Sequence, residues 1–212
     1  MNAGHLQAVI HRIADCVAEN CDELVRLDQQ NGDGDLGISM MHGFEAVADA
    51  LDHTEEKDLG RLFQLCSSSM NEAAPSTLGT ILSLWALGMA KALKGQQESD
   101  LPKLAEAMDA GVTLIRKRTG SNPGEKTVLD ALCPAVEALK ANTDSWAGGF
   151  SAAARAAAEG SENTRTMLAV HGRAAYYGEK SLGVVDGGSV LAKLLFAECA
   201  AFCEEQAAKD GG

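Results

Sequence analysis

Three carboxylates crowd together early in this chain. Asp28, Asp33 and Asp35 fall in the stretch Leu-Asp-Gln-Gln-Asn-Gly-Asp-Gly-Asp-Leu-Gly-Ile-Ser at 27–39. Gly32, Gly34 and Gly37 sit among them and let a ligand approach the main chain. Three ionised Asp folded onto one spot repel each other unless a cation neutralises them. Oxygen donors of this kind suit Mg2+ or Ca2+ rather than a transition metal. A calcium helix-loop-helix loop with oxygens at Asn31, Asp33 and Asp35 would need Gly at 36 and Glu at 42, where the chain has Leu36 and His42. That reading fails. The same Asp residues could also serve an inter-helix loop and cap the helix after it.

Helical periodicity accounts for the sequence that must position these groups. Leu6, Val9, Ile10, Ile13, Val17, Cys21 and Leu24 recur at helix spacing and predict a first helix over 6–27. Seven more are predicted over 36–51, 59–72, 78–93, 102–118, 127–141, 151–171 and 189–208. Pro75 separates the third from the fourth, Pro102 suits the first turn of the fifth, and Pro134 predicts a kink in the sixth. Ser76 or Thr77 caps the fourth, whose all-round apolar sequence places it at the centre. Residues 172–188 read as irregular with some helical turns, and 209–212 as a fraying end. No segment alternates with β-branched enrichment. The expected fold is all-α, a single domain over 1–212 built as a barrel or bundle of eight antiparallel helices.

Four glycine-bearing irregular segments, 28–39, 73–80, 119–128 and 172–189, are alternate links of such a bundle and would share one rim. The links near 53–58, 95–100 and 142–149 are plain polar turns at the other. The first rim suits a nucleotide. Leu36, Gly37, Ile38 and Ser39 start a helix whose free amides can face phosphate. Pro75, Ser76 and Thr77 offer a second helix start with hydroxyls. Arg173 is either a fork-like phosphate ligand or a surface arginine at a helix end. Asp186, Gly187 and Gly188 cap the last helix or touch a ligand, and Val128 packs on a base or in the core.

A net charge of −12 over 212 residues leaves no basic stretch for nucleic acid or an anionic membrane. Phosphate would then be held by metal, amides or one or two placed cations. The six cysteines lie in apolar helical contexts without a Cys-x-x-Cys pair. His5, His11, Arg12 and Asp15 interrupt any leader-like apolar run, so the cytoplasm is the expected compartment. The segment from Gly120 through Gly124, Glu125, Lys126 and Thr127 mimics a Walker loop. It has the wrong spacing and no preceding strand. Lys126 and Asp130 are spaced for an i,i+4 salt bridge.

Taken in order, Leu27-Asp28, Gly32-Asp33-Gly34-Asp35, Gly37, Met40, Gly43-Phe44, Gly124-Glu125-Lys126-Thr127, Leu129-Asp130-Ala131-Leu132, Gly172-Arg173-Ala174, Tyr176, Gly178-Glu179, Ser181, Gly183 and Asp186-Gly187-Gly188 form one pattern. It resembles the nucleotide-binding L subunit (DhaL) of dihydroxyacetone kinases over nearly the whole chain. The resemblance implies an eight-helix barrel with ADP or ATP held at one rim through two Mg2+ ions. Asp28, Asp33 and Asp35 would ligate the ions. Leu36 to Ser39, Pro75 to Thr77, Gly120, Val128, Arg173 and Asp186 to Gly188 would line the nucleotide, with Arg173 assisting transfer. It also implies a separate K-type subunit presenting the ketose. The phosphoryl donor is either exchanging ATP or a phosphohistidine phosphotransferase-system protein that recharges bound ADP.

The chain departs from that family at four places. Leu36 replaces His, the 73–77 run replaces Gly-Gly-x-Ser-Gly, Val128 replaces Met, and Asp186-Gly187-Gly188 replaces Asp-Pro-Gly. These spare the acidic triplet and fall on the phosphate loops and the acceptor. Dihydroxyacetone, another short ketose or a four-carbon sugar is therefore the expected acceptor. Two other classes compete. One is a nucleotide-binding sensor or coactivator without turnover. The other is a fatty-acid or lipid carrier, which requires an apolar cavity inside the bundle and indifference to Mg2+.

Overall fold

Side-chain caps decide where most helices begin. Asn2, Asp58, Ser76, Asp100 and Ser145 each accept a hydrogen bond from the amide three residues on, at 2.9–3.1 Å. Each satisfies a donor that the first helical turn leaves free. The computed structural model describes residues 1–210. It contains α1 (Ala3–Glu19), α2 (Cys21–Asn31), α3 (Leu36–Asp52), α4 (Leu59–Ala73), α5 (Thr77–Ala92), α6 (Leu101–Thr119), α7 (Leu129–Ala141), α8 (Trp146–Asn163) and α9 (Gly187–Asp210). Two 3-10 helices, Thr164–Thr166 and Arg173–Ser181, lie between α8 and α9. The all-α class stands. Of the end expected to fray, Lys209 and Asp210 extend α9, and 211–212 lie outside the described residues.

Two boundaries differ from the periodicity for a stated reason. The N-terminal helix is broken at Asn20, whose side-chain amide donates to the Cys16 carbonyl at 2.8 Å and competes with the helix ladder. Helix α8 stops at Asn163 rather than His171. Buried Thr164 turns its hydroxyl back to the Ser161 carbonyl, at 2.6 Å, and its own carbonyl is taken by Lys126. An apolar, Ala-rich sequence cannot reveal that competition.

Packing neighbours run from α1 to α3 and then in chain order to α9, which packs back on α1; α2 bridges α3 and α9. The ring places alternate links at opposite ends. At one end, Leu59 N–H donates to the Gln96 carbonyl at 2.6 Å, Gly95 N–H to Asp58 at 2.8 Å, and the Met1 amine to the Ser99 carbonyl at 2.6 Å. These polar turns satisfy one another. Helix α5 is one member of the ring rather than its centre. Its second apolar face, with Leu82, Trp85 and Met89, lines an interior cavity of about 580 Å³ that reaches Met1, Ser145 and Gln206 near that same end.

Helices α5 and α6 cross at Gly88 and Gly111, where a β-carbon on Gly88 would overlap the Gly111 backbone. Gly88→Val should force the pair apart and cost about 1–3 kcal/mol as overpacking. The melting temperature, followed by circular dichroism, should fall by about 2–4 °C per kcal/mol. An unchanged melt would contradict the close crossing.

Candidate functional site

The acidic loop is short because two helices end at it. Helix α2 supplies Asp28 from its last turn, and Asp35 stands at the N-cap position of α3. Asp28 folds back under the loop, accepting the Gly34 amide at 2.7 Å and the Asp35 amide at 3.2 Å. That bend brings one carboxylate oxygen of each of Asp28, Asp33 and Asp35 within 4.8 Å of the others. Desolvation raises the Asp35 carboxyl above the ordinary range, and the charges of Asp33 and Asp28 raise it further, against a smaller lowering by Arg173. A carboxyl raised by folding is less stable ionised in the native state than in the unfolded chain. Ionisation above its usual range therefore opposes folding, and a bound cation relieves that opposition. The donor set fits a hard divalent cation.

Arg173 lies 140 residues after Asp33 in the chain, yet its guanidinium meets that carboxylate at 2.7 Å. It starts the 3-10 helix Arg173–Ser181, whose Tyr176 and Tyr177 join Gly32 and Arg173 around a shallow cleft beside the triplet. The other expected residues divide into two groups. Ser39 donates to Ser76 at 3.1 Å, which joins the starts of α3 and α5. Leu36 packs over Gly187, and Val128 sits against Gly188, so the starts of α3, α7 and α9 converge. Asp186 caps α9 by accepting the Ser189 amide at 2.7 Å. Its desolvated carboxyl is lifted to about 7, with Asp130 adding to the rise and the Ser189 amide opposing it. In the second group, Pro75 and Thr77 are exposed beside Ser76, and Gly120 is exposed at the C-cap of α6 with open space around it.

Two of the expected site residues, Gly37 and Val128, are buried, and one expected pairing does not form. Gly37 is buried, and a β-carbon there would overlap the Cys21 carbonyl, so its smallness first serves the contact between α2 and α3. Val128 is a core residue, 3% exposed. Lys126 and Asp130 form no salt bridge. Asp130 accepts the Gly124 and Thr127 amides, while the Lys126 ammonium donates to the Thr164 and Val184 carbonyls. Sequence reasoning also missed Glu125, whose carboxylate meets His171 at 2.6 Å and whose carbonyl accepts the Val170 amide. The charged pair Glu125-Lys126, lodged just before an apolar helix, was the available signal.

Arg173 occupies Asp33 as a cation would, so a cation entering there would have to displace it. In calorimetric titration without nucleotide, Arg173→Ala should bind Mn2+ about two- to fivefold more tightly than the parent, the size of an exposed ion pair. Equal affinities would show that Arg173 does not guard the triplet.

The DAK2 domain family matches residues 30–201. The ADP-binding subunit DhaL of a PEP-dependent dihydroxyacetone kinase 1 from Listeria innocua is 34% identical over 180 residues, 85% of this chain and 86% of that one. An L-erythrulose 1-kinase from Mycolicibacterium smegmatis is 32% identical over 194 residues, 89% of this chain. The chain spans only 34% of that enzyme's length. Among solved structures, the dihydroxyacetone kinase from C. freundii in complex with AMP-PNP and Mg2+ superposes with a TM-score of 0.74 at 22% identity. The match covers 92% of this chain and 33% of that one and supports the all-α fold. The chain belongs to the DAK2 domain family, the family of the DhaL subunits.

Proposed function

We propose that the chain is the nucleotide-binding subunit of a dihydroxyacetone-type kinase, which passes a phosphoryl group to a short ketose held by a K-type partner. The carrying observation is the convergence of Asp28, Asp33 and Asp35 within 4.8 Å at the rim where the helix starts of α3, α5 and α9 also lie. In this reading the three Asp hold two Mg2+ ions, and Leu36 to Ser39, Pro75 to Thr77, Gly120, Val128 and Asp186 to Gly188 enclose ADP or ATP. Bound Mg2+ would neutralise phosphate oxygens and fix their orientation. The free amides at the start of α3 direct partial positive charge to the same place. Arg173, loop-borne and exposed, offers a planar fork to the oxygens that gain charge during transfer. No side chain at the rim is needed as a base, because the partner presents the acceptor hydroxyl.

The rim also carries what a partner would bind. Among the described residues, the large hydrophobics most open to solvent are Ile38, Leu168, Val170, Tyr176, Tyr177 and Leu182. Ile38 is in the first turn of α3, and the others belong to the segment between α8 and α9. Apolar side chains left bare around a reaction centre mark a docking surface. The M. smegmatis relative acts, by its name, on a four-carbon ketose, which supports erythrulose beside dihydroxyacetone as an acceptor.

A second reading has its own observation. The interior cavity of about 580 Å³, lined by Leu6, Ile13, Phe63, Trp85 and Phe196 among others, is what an acyl-ligand carrier requires. It opens away from the acidic rim, so the two readings are separable by Mg2+ dependence.

For the kinase reading, ADP and Mg2+ together should raise the melting temperature well beyond the sum of what each does alone. Asp33→Asn should abolish that rise and keep its helical circular dichroism. Retained ADP–Mg2+ binding in that variant would overturn the metal assignment. ADP copurifying with fresh protein would identify the phosphohistidine-recharged type, and an empty site the ATP-exchanging type. With a K-type partner, Leu168→Glu should weaken association by about tenfold or more and leave ADP–Mg2+ binding intact. Unchanged association would remove the loop from the interface.

A further inference from the structure

Lys126 is an unusual residue in three respects. It is 5% exposed, it is the sole non-glycine residue with positive φ among the described residues, at 59°, and its ammonium makes no ion pair there. Both of its hydrogen bonds, 2.6 Å each, go to main-chain carbonyls, those of Thr164 and Val184. A left-handed conformation at a residue with a β-carbon is held by its surroundings rather than by local preference. The surroundings here are the two ends of one loop.

Thr164 and Val184 bracket the segment that carries Arg173. Its neck is closed by the Asp186 amide on the Thr164 hydroxyl at 2.9 Å, and by two bonds between Arg165 and Gly183 at 2.8 and 3.0 Å. Lys126 spans that neck from the α6–α7 link. Its neighbour Glu125 holds the loop further out, through the Val170 amide at 3.2 Å and His171 at 2.6 Å, two residues before Arg173. The loop end then reaches Asp33 through Arg173 at 2.7 Å. A ligand role for the ammonium is not available, since it is buried and turned toward carbonyls. A methionine would fill similar space and leave the Val184 carbonyl without this donor.

We propose that Lys126 is a positioning residue for phosphoryl transfer: by clasping both ends of the 164–184 loop, it sets the reach of Arg173 toward the acidic triplet. The proposal rests on the kinase reading of that rim. It predicts that Lys126 and Arg173 act as one unit, whereas a lysine that merely stabilised the fold would act independently.

The test uses the full chain with Lys126→Met, Lys126→Arg, Arg173→Ala and the Lys126→Met/Arg173→Ala double variant. In hydrogen–deuterium exchange without nucleotide, Lys126→Met should speed exchange across 164–184 on the order of tenfold and leave α3 to α6 unchanged. Lys126→Arg, which keeps charge and donors, should restore most of the protection. With partner, ketose and ATP–Mg2+, or the phosphohistidine donor, Lys126→Met should lower kcat by about tenfold or more with little change in the nucleotide KM. The double variant should be no slower than Arg173→Ala alone. Unaltered exchange in the loop, or additive losses in the double variant, would overturn the proposal. Where Lys126→Met does not fold, Lys126→Gln, whose shorter amide reaches at most one carbonyl, is read in the same way. A parent chain with neither ADP–Mg2+ binding nor turnover would refute the kinase reading, and the exchange result would still decide whether Lys126 clasps the loop.

Discussion

Mutual repulsion among Asp28, Asp33 and Asp35 is the constraint around which the rest of the rim is arranged. Their oxygens lie within 4.8 Å of one another on a chain whose net charge is already −12. Desolvation raises the Asp35 carboxyl, the charges of Asp33 and Asp28 raise it further, and ionising it there weakens the fold that brings the three together. Two features offset this. The Gly34 and Asp35 amides hold Asp28, and the Arg173 guanidinium rests on Asp33. The amides are fixed by the bend between α2 and α3. The guanidinium is delivered by a loop and can leave.

The ring of helices explains why repulsion can be concentrated at one end without weakening the other. At the far end the link before α4, the link before α6 and the amino terminus satisfy each other's polar groups. At the acidic end Asp130 and Asp186 accept amides of their own helix starts, and Lys126 donates to the Thr164 and Val184 carbonyls. The carboxylates of Asp33 and Asp35 remain exposed. One rim is closed by its own hydrogen bonds, and the other leaves two carboxylates open to solvent.

Much of this was legible in the sequence. The helices were visible because apolar residues at helix spacing need a buried face, and Asp and Ser caps mark their starts. The shared rim followed from alternation of the links, and the structure joins them through Ser39 with Ser76, Leu36 with Gly187 and Glu125 with His171. What escaped was set by tertiary competition for backbone groups. The Asn20 break and the end of α8 at Asn163 both come from side chains that take carbonyls from the helix ladder. Spacing paired Lys126 with Asp130, but burial turned each to different main-chain partners. The apolar sequence of α5 indicated burial on two faces and could not say that one face borders a cavity instead of a helix.

The departure at Leu36 changes how two helix starts are joined without touching the acidic triplet. At this position, where the resembled family has a polar His, the side chain packs across Gly187 at the head of α9, half-buried among apolar groups. Gly187 has no side chain to resist it. The Leu36 packing ties the starts of α3 and α9 together by burial, a force indifferent to charge. The acidic triplet is held by a separate set of bonds from Asp28 to the loop amides and is unaffected by that packing. The acidic triplet and the joint between α3 and α9 therefore rest on different interactions of the same short stretch, and the second can vary while the first is kept.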